Sequence, residues 1–150
     1  MPLQLEADNL ADVGPDASGR PAKLDPRAAQ AWLRMREAAE REGCRLLLLS
    51  GFRSVERQRE LFEKKVRSGI PIADVLRQLA FPGYSEHHTG RAIDIGSPDA
   101  EHLTDKFAAT REFAWMVSSA ATFGFRLSYP KENAAGIAYE PWHWYFSEKK

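Results

Sequence analysis

Apolar positions recur at helical spacing immediately after Asp25-Pro26. Ala28, Ala31, Trp32, Met35 and Ala39 fall near one face, the stripe that an amphipathic helix lays on a core. Asp25 reads as the N-cap, Pro26 as the first helical residue and Gly43 as the stop. Arg45 to Ser50 then switches to a short apolar run, the pattern of a buried strand, with Gly51 to Arg53 as its exit loop. Ser54 caps a second helix through about Arg67, with Leu61, Phe62 and Val66 inward, and Pro71 opens a shorter helix over Ile72 to Leu79. Pro82-Gly83 breaks the pattern. After a polar stretch, Arg91 to Ile95 alternates like a strand and stops at Gly96-Ser97-Pro98. One long helix is expected over Thr104 to Phe123, a third strand over Phe125 to Tyr129, and the last strand within Ala138 to Phe146.

These elements mix without a regular βαβ alternation. The fold class is therefore α+β, a small central antiparallel sheet flanked by helices in a single domain. Residues 1–25, rich in turn signals such as Gly14-Pro15 and Ser18-Gly19, are expected to be an irregular N-terminal segment ahead of a domain at 26–150.

Composition narrows the function classes. The chain of 150 residues is 43% hydrophobic and 28% charged, which fits one globular domain and excludes disordered or fibrous architectures. Lys plus Arg equals Asp plus Glu at 21 each, so the basic surplus of a nucleic-acid-gripping domain is missing. Cys44 is the single cysteine, so no internal disulfide forms, and it is expected to be buried and inert. The longest pure aliphatic run is Leu46 to Leu49, far short of the roughly 20 residues of a membrane helix. The acidic first residues lack a signal-peptide pattern. Two placements stay open: the cytoplasm, or the cell envelope or periplasm after removal of an export signal.

Three of the four histidines carry the chemical interest or border it. His87 and His88 lie in Ser85-Glu86-His87-His88-Thr89-Gly90-Arg91-Ala92-Ile93-Asp94, and His143 in Glu140-Pro141-Trp142-His143. A catalytic zinc needs three protein ligands and an open position, and His87, Asp94 and His143 supply that number. Positions seven apart point to opposite faces of a straight strand, so Gly90 must bend the chain to return His87 over Asp94. Pro141 forbids a helix through Glu140 and His143, and a turn there aims both at one point. Glu140 then stands beside the metal as an acid/base. Arg53, in the loop leaving a buried strand, is the candidate cation for an oxyanion.

Plainer readings stand beside each of these. Asp94 could pair with Arg91, Arg53 with Glu56, and Glu140 could lie on the surface before its proline. Trp142, Trp144, Tyr145 and Phe146 suit a core as well as a substrate platform. His88 and His102 are expected to be structural or solvent-facing. On the residues alone, a metal hydrolase is one reading among these.

Together the segments resemble the VanY-type D-alanyl-D-alanine carboxypeptidases, within the zinc peptidases that include D-Ala-D-Ala dipeptidases and Hedgehog-like domains. The pattern Ser-x-His-x-x-Gly-x-Ala-x-Asp is present as Ser85, His87, Gly90, Ala92 and Asp94, and Glu-x-x-His as Glu140 and His143. The block Ser50 to Ser54, with Gln58, looks like the family's substrate-side motif, and the likeness runs over about residues 26 to 147. The resemblance implies a Zn2+ cofactor held by His87, Asp94 and His143, Glu140 as the catalytic base, and Arg53 at the substrate carbonyl. It further implies Ser50, Gln58 and Ser85 as substrate-pocket residues. The implied partner is a peptidoglycan stem peptide ending in D-Ala, from which the terminal D-alanine is hydrolysed. The same zinc centre would also serve an L,D-carboxypeptidase, a D-Ala-D-Ala dipeptidase or an endolysin-like endopeptidase. A non-catalytic module binding wall peptide is the rival from a different class.

Overall fold

The structure, a computed structural model, describes residues 1–148. In chain order the first half holds β1 (Ala11–Pro15), β2 (Pro21–Leu24), α1 (Pro26–Arg41), β3 (Leu47–Ser50), α2 (Val55–Arg67) and α3 (Ile72–Gln78). A short 3-10 turn, Glu86–Thr89, leads into β4 (Ala92–Gly96), then α4 (Arg111–Ser119), β5 (Phe125–Leu127) and β6 (His143–Phe146). Four strands form one antiparallel sheet in the order β3-β4-β6-β5, and β1 and β2 form a separate hairpin.

The helix starts follow from their caps. The Asp25 carboxylate accepts from the N–H groups of Arg27 and Ala28, at 3.0 and 3.1 Å, and Ser54 Oγ accepts from Arg57 N–H at 3.0 Å. Because Pro26 carries no N–H, these are two of the three otherwise orphaned donors of α1. The buried face of α1, including Trp32 and Met35, shares one apolar core with Leu48 of β3, Ile93 and Ile95 of β4, and Trp144 and Phe146 of β6.

Strand alternation decides what faces the other way. Because Ile93, Ile95 and Trp144 enter the core, Asp94 and His143 project from the opposite face of the sheet. They are also direct cross-strand partners. On the other side of β4 the register shifts between Leu48 and Ser50, so that Ser50 rather than Leu49 stands opposite Asp94. Without that irregularity Ser50 would fall on the core face.

Two expectations from sequence need correction. Residues 1–25 are not irregular throughout, because they carry the β1–β2 hairpin. Its turn is built by Asp16, whose Oδ1 accepts from Ser18 N–H, Ser18 Oγ and Arg20 N–H, an Asx-type turn that few apolar residues announce. Only Val13, Ala22 and Leu24 of the hairpin are buried. The stretch expected as one helix, Thr104 to Phe123, is broken into a 3-10 turn (Asp105–Ala109), α4, and a second 3-10 turn (Ala120–Phe123). Thr110 makes the break. It is extended (φ −91°, ψ 158°), and its hydroxyl accepts from Phe113 N–H at 3.1 Å while donating to the Phe107 carbonyl at 2.7 Å. Such a side chain competes with the helical ladder for backbone groups.

Gly90 ends the Glu86–Thr89 turn in the left-handed region at φ 73°, and Asp25 N–H donates to its carbonyl at 2.8 Å. A Cβ there would sit 2.7 Å from the Asp25 backbone nitrogen. Gly90→Ala is therefore expected to cost about 2 kcal/mol or more, from the left-handed backbone and the displaced Asp25 strand end. Urea unfolding checks this, and an unchanged midpoint would contradict it.

Candidate metal centre

The bend at Gly90 brings His87 back over β4. His87, Asp94 and His143 are all buried, and one ligand atom from each lies within 4.8 Å of the other two. Ser85 Oγ caps the turn bearing His87 by accepting from its N–H at 3.2 Å. His87 Nδ1 donates to the Gly51 carbonyl at 2.7 Å, which leaves Nε2 facing Asp94 Oδ2 at 3.1 Å. His143 is fixed the other way round. Its Nε2 lies 2.9 Å from Glu86 Oε1, and its Nδ1 faces Asp94 Oδ1 at 3.0 Å. A backbone carbonyl and a carboxylate behind two imidazoles are the partners that orient metal-binding histidines. Two imidazole nitrogens with one carboxylate oxygen make a borderline-soft set suited to a divalent first-row ion, and the residues fit such an ion.

The loop after β3 is stitched to the histidine loop. Arg53 N–H donates to the His87 carbonyl at 3.1 Å, and His88 Nδ1 donates to the Arg53 carbonyl at 2.8 Å. Gly83 N–H donates in turn to His88 Nε2 at 3.0 Å. His88 is thus fully buried and structural, a neutral imidazole joining two loops. From this backbone the Arg53 guanidinium donates to Gln58 Oε1 at 3.0 Å and Ser50 Oγ at 3.2 Å, and Gln58 Nε2 donates to the Ala80 carbonyl at 2.7 Å.

Arg53, Gln58, Ser85, Glu140 and the three potential ligands line one cleft of about 410 Å3. Ser50 is not on its wall and touches it only through Arg53. The plainer pairings are not made: Glu56 pairs with Arg59, and Arg91 faces Asp25 at 3.7 Å. Glu140 follows from a turn in which His143 N–H donates to the Glu140 carbonyl at 3.2 Å. Its carboxylate is buried, 4.0 Å from His143 Nδ1, and makes no hydrogen bond among the described residues. Trp144 and Phe146 belong to the core, whereas Trp142 lines the cleft.

Three participants were not read from sequence. Glu86 holds His143 and is itself held by the Ser128 hydroxyl at 2.5 Å. Tyr129 lines the cleft with its ring 4.9 Å from the His143 ring. The sole signal for Glu86 was its place beside His87.

Electrostatically the centre favours positive charge. Burial alone would raise the Asp94 carboxyl, yet the charge of His87 and hydrogen bonds from both imidazoles hold it well below its ordinary value. Burial lowers His87 against the pull of Asp94. Burial also works against a charged His143, but hydrogen bonds to Asp94 and Glu86 push it up to about 10. Glu140, by contrast, is raised to about 7 by burial, with His143 opposing. A carboxyl poised there can both take and give a proton near neutrality.

Comparison with known proteins is consistent with this geometry. YodJ of Bacillus subtilis (strain 168), which bears the name of a carboxypeptidase, is 38% identical over 126 residues, 82% of this chain and 46% of YodJ. The chain thus spans less than half the length of that relative. Among solved structures, the LD-carboxypeptidase LdcB superposes with a TM-score of 0.85 at 32% identity, over 97% of this chain and 71% of LdcB. A vancomycin-resistance D,D-pentapeptidase VanY from the VanB-type cassette, in complex with Zn(II), superposes with a TM-score of 0.73 at 28% identity, over 97% of this chain and 82% of its own. The profile of the VanY family, described as D-alanyl-D-alanine carboxypeptidase, matches residues 21–149. With a match over most of its length, the chain belongs to the VanY family.

Proposed function

We propose that this chain is a zinc D,D-carboxypeptidase that releases the terminal D-alanine from peptidoglycan stem peptides ending in D-Ala-D-Ala. The observation that carries the reading is Glu140, a buried carboxylate free of hydrogen bonds among the described residues and 4.0 Å from a potential ligand nitrogen. A structural metal site has no use for such a group, whereas a hydrolytic one does. The zinc complex of the superposed VanY supports the choice of metal.

His87 Nε2, an Asp94 oxygen and His143 Nδ1 would hold the ion. When bound, zinc supplies Lewis acidity that makes a nucleophilic water available near neutral pH and polarises a carbonyl. Glu140 takes the proton of the attacking water and hands it to the departing amine of D-alanine. Arg53 spends one N–H on Gln58 and one on Ser50, so other donors of its fork remain for the carbonyl oxygen as negative charge builds there. The products are the shortened peptide and free D-alanine, with one water consumed. A second reading, removal of D-alanine from an L,D bond in a tetrapeptide, is favoured by the closeness of LdcB in backbone.

Chelation is expected to abolish D-alanine release from a pentapeptide ending in D-Ala-D-Ala, and added zinc to restore it. Glu140→Gln should retain zinc and lose about 10²–10⁴ in kcat; near wild-type turnover in that variant would sink the proposal. Side-by-side assay of the tetrapeptide separates the L,D reading. Glu86→Ala is expected to weaken zinc binding about 10–100-fold, because His143 loses the carboxylate that orients it, as measured by chelator competition. An unaltered affinity would show that Glu86 is incidental.

A further inference from the structure

The cleft has two ends of different chemistry. Its interior holds the metal-binding group, Glu140 and Arg53, while α2 and α3 bring Lys65 and Gln78 to the wall of the same cavity. Lys65 Nζ donates to the neutral Gln78 Oε1 at 3.3 Å. Among the described residues it makes no ion pair, and the residues one turn away are Leu61, Phe62, Ser68 and Gly69. Arg57 pairs with Glu60 at 3.0 Å and Arg59 with Glu63 at 3.1 Å. Of the α2 cations without an ion pair among the described residues, Lys64, Lys65 and Arg67, Lys65 alone lines the cleft. Lys65 is half-buried along the cleft wall, and its ammonium faces an amide and no anion among the described residues.

The helix sets how far away that anion lies. Gln58, which is bonded to Arg53, and Lys65 are seven residues apart on α2. They share a face and stand about 10 Å apart along the axis. An extended peptide advances at most about 3.6 Å per residue, so two residues back from the one whose carbonyl is held at Arg53 cover about 7 Å. The two extra chain carbons of a γ-linked residue bring the reach to roughly the 10 Å of Lys65. The scissile bond lies at the C-terminal end of the substrate, so nearly all of the peptide precedes the reacting carbonyl and extends from it along the cleft wall. In a stem peptide cut before its last D-alanine, the third residue counted back from the reacting carbonyl is γ-D-glutamyl. Its α-carboxylate branches from the chain.

We propose that Lys65 is a specificity-determining residue that selects stem peptides carrying a free carboxylate about three residues before the scissile bond. The inference rests on the carboxypeptidase reading above. The γ-D-glutamyl residue and the side chain of diaminopimelate both offer the chemistry. Rim ion pairs are modest, so the effect expected is about threefold to tenfold in KM.

The test uses three pentapeptides ending in D-Ala-D-Ala: γ-D-Glu with L-Lys, γ-D-Gln with L-Lys, and γ-D-Gln with diaminopimelate. Lys65→Ala is expected to raise KM for the first with kcat within about twofold, to leave the second unaffected, and to be rescued by Lys65→Arg. The same loss on the third peptide in place of the first assigns the carboxylate to diaminopimelate and still supports the proposal. Equal effects on all three, or none on any, overturn it. Calorimetric binding of the same peptides to zinc-loaded Glu140→Gln, with and without Lys65→Ala, reads the preference without turnover. A chain that binds with this preference but hydrolyses nothing would fail the enzymatic reading alone.

Discussion

The cross-strand pairing of Asp94 with His143 is the constraint on which the rest depends. A one-residue slip of β6 against β4 would send His143 into the core and bring Trp144 out. The register is held from the other face, where Ile93, Ile95, Trp144 and Phe146 pack with α1. The same strands therefore build the core on one side and the polar centre on the other. The irregularity at Leu49 extends the arrangement to β3, since it turns Ser50 toward Asp94 and so under Arg53.

Around this pair the chain uses backbone groups to place what side chains alone would leave loose. Gly51, Arg53 and His87 exchange main-chain and imidazole hydrogen bonds across two loops, and His88 ties them to Gly83. From outside, Gln4 N–H donates to the Gly83 carbonyl and Ala7 N–H to the His88 carbonyl, both at 2.8 Å, and Glu6 accepts from Val55 N–H at 2.7 Å. The first ten residues thus brace the histidine loop and the start of α2 together. Arginine loses much freedom on ordering. Here its backbone is already fixed and two of its donors are engaged before a ligand arrives.

How much of this was legible follows from which interactions are local. The caps at Asp25 and Ser54, the stripe of α1 and the apolar run of β3 are written in short spans of sequence, and so they were readable. The convergence of His87, Asp94 and His143 was readable for a related reason. Gly90 makes His87 and Asp94 a local unit, and Pro141 does the same for Glu140 and His143. Glu86 was not readable, because its role arises only when β5 and β6 pair and set Ser128 and His143 beside it. His88, expected to be structural or solvent-facing, is structural, and its partners, 5 and 35 residues away, are what sequence did not supply. The broken helix before Gly124 was missed because helical spacing persists through Thr110, whose hydroxyl ends one piece and starts the next.

The centre also distributes its stability unevenly among its charged groups. Asp94, His87 and His143 satisfy one another while buried, so removing any one leaves partners unpaired in a poorly solvated space. That loss is larger than the net worth of the pairing itself. Glu140 differs. It is also buried, if slightly less deeply, yet no protein group depends on its carboxylate for a hydrogen bond among the described residues. Burial penalises its charge by more than the nearby His143 and Arg53 stabilise it. A carboxylate kept where burial penalises it and no hydrogen bond rewards it is hard to explain by folding, and this separates Glu140, proposed to move protons, from the three residues proposed to hold the ion.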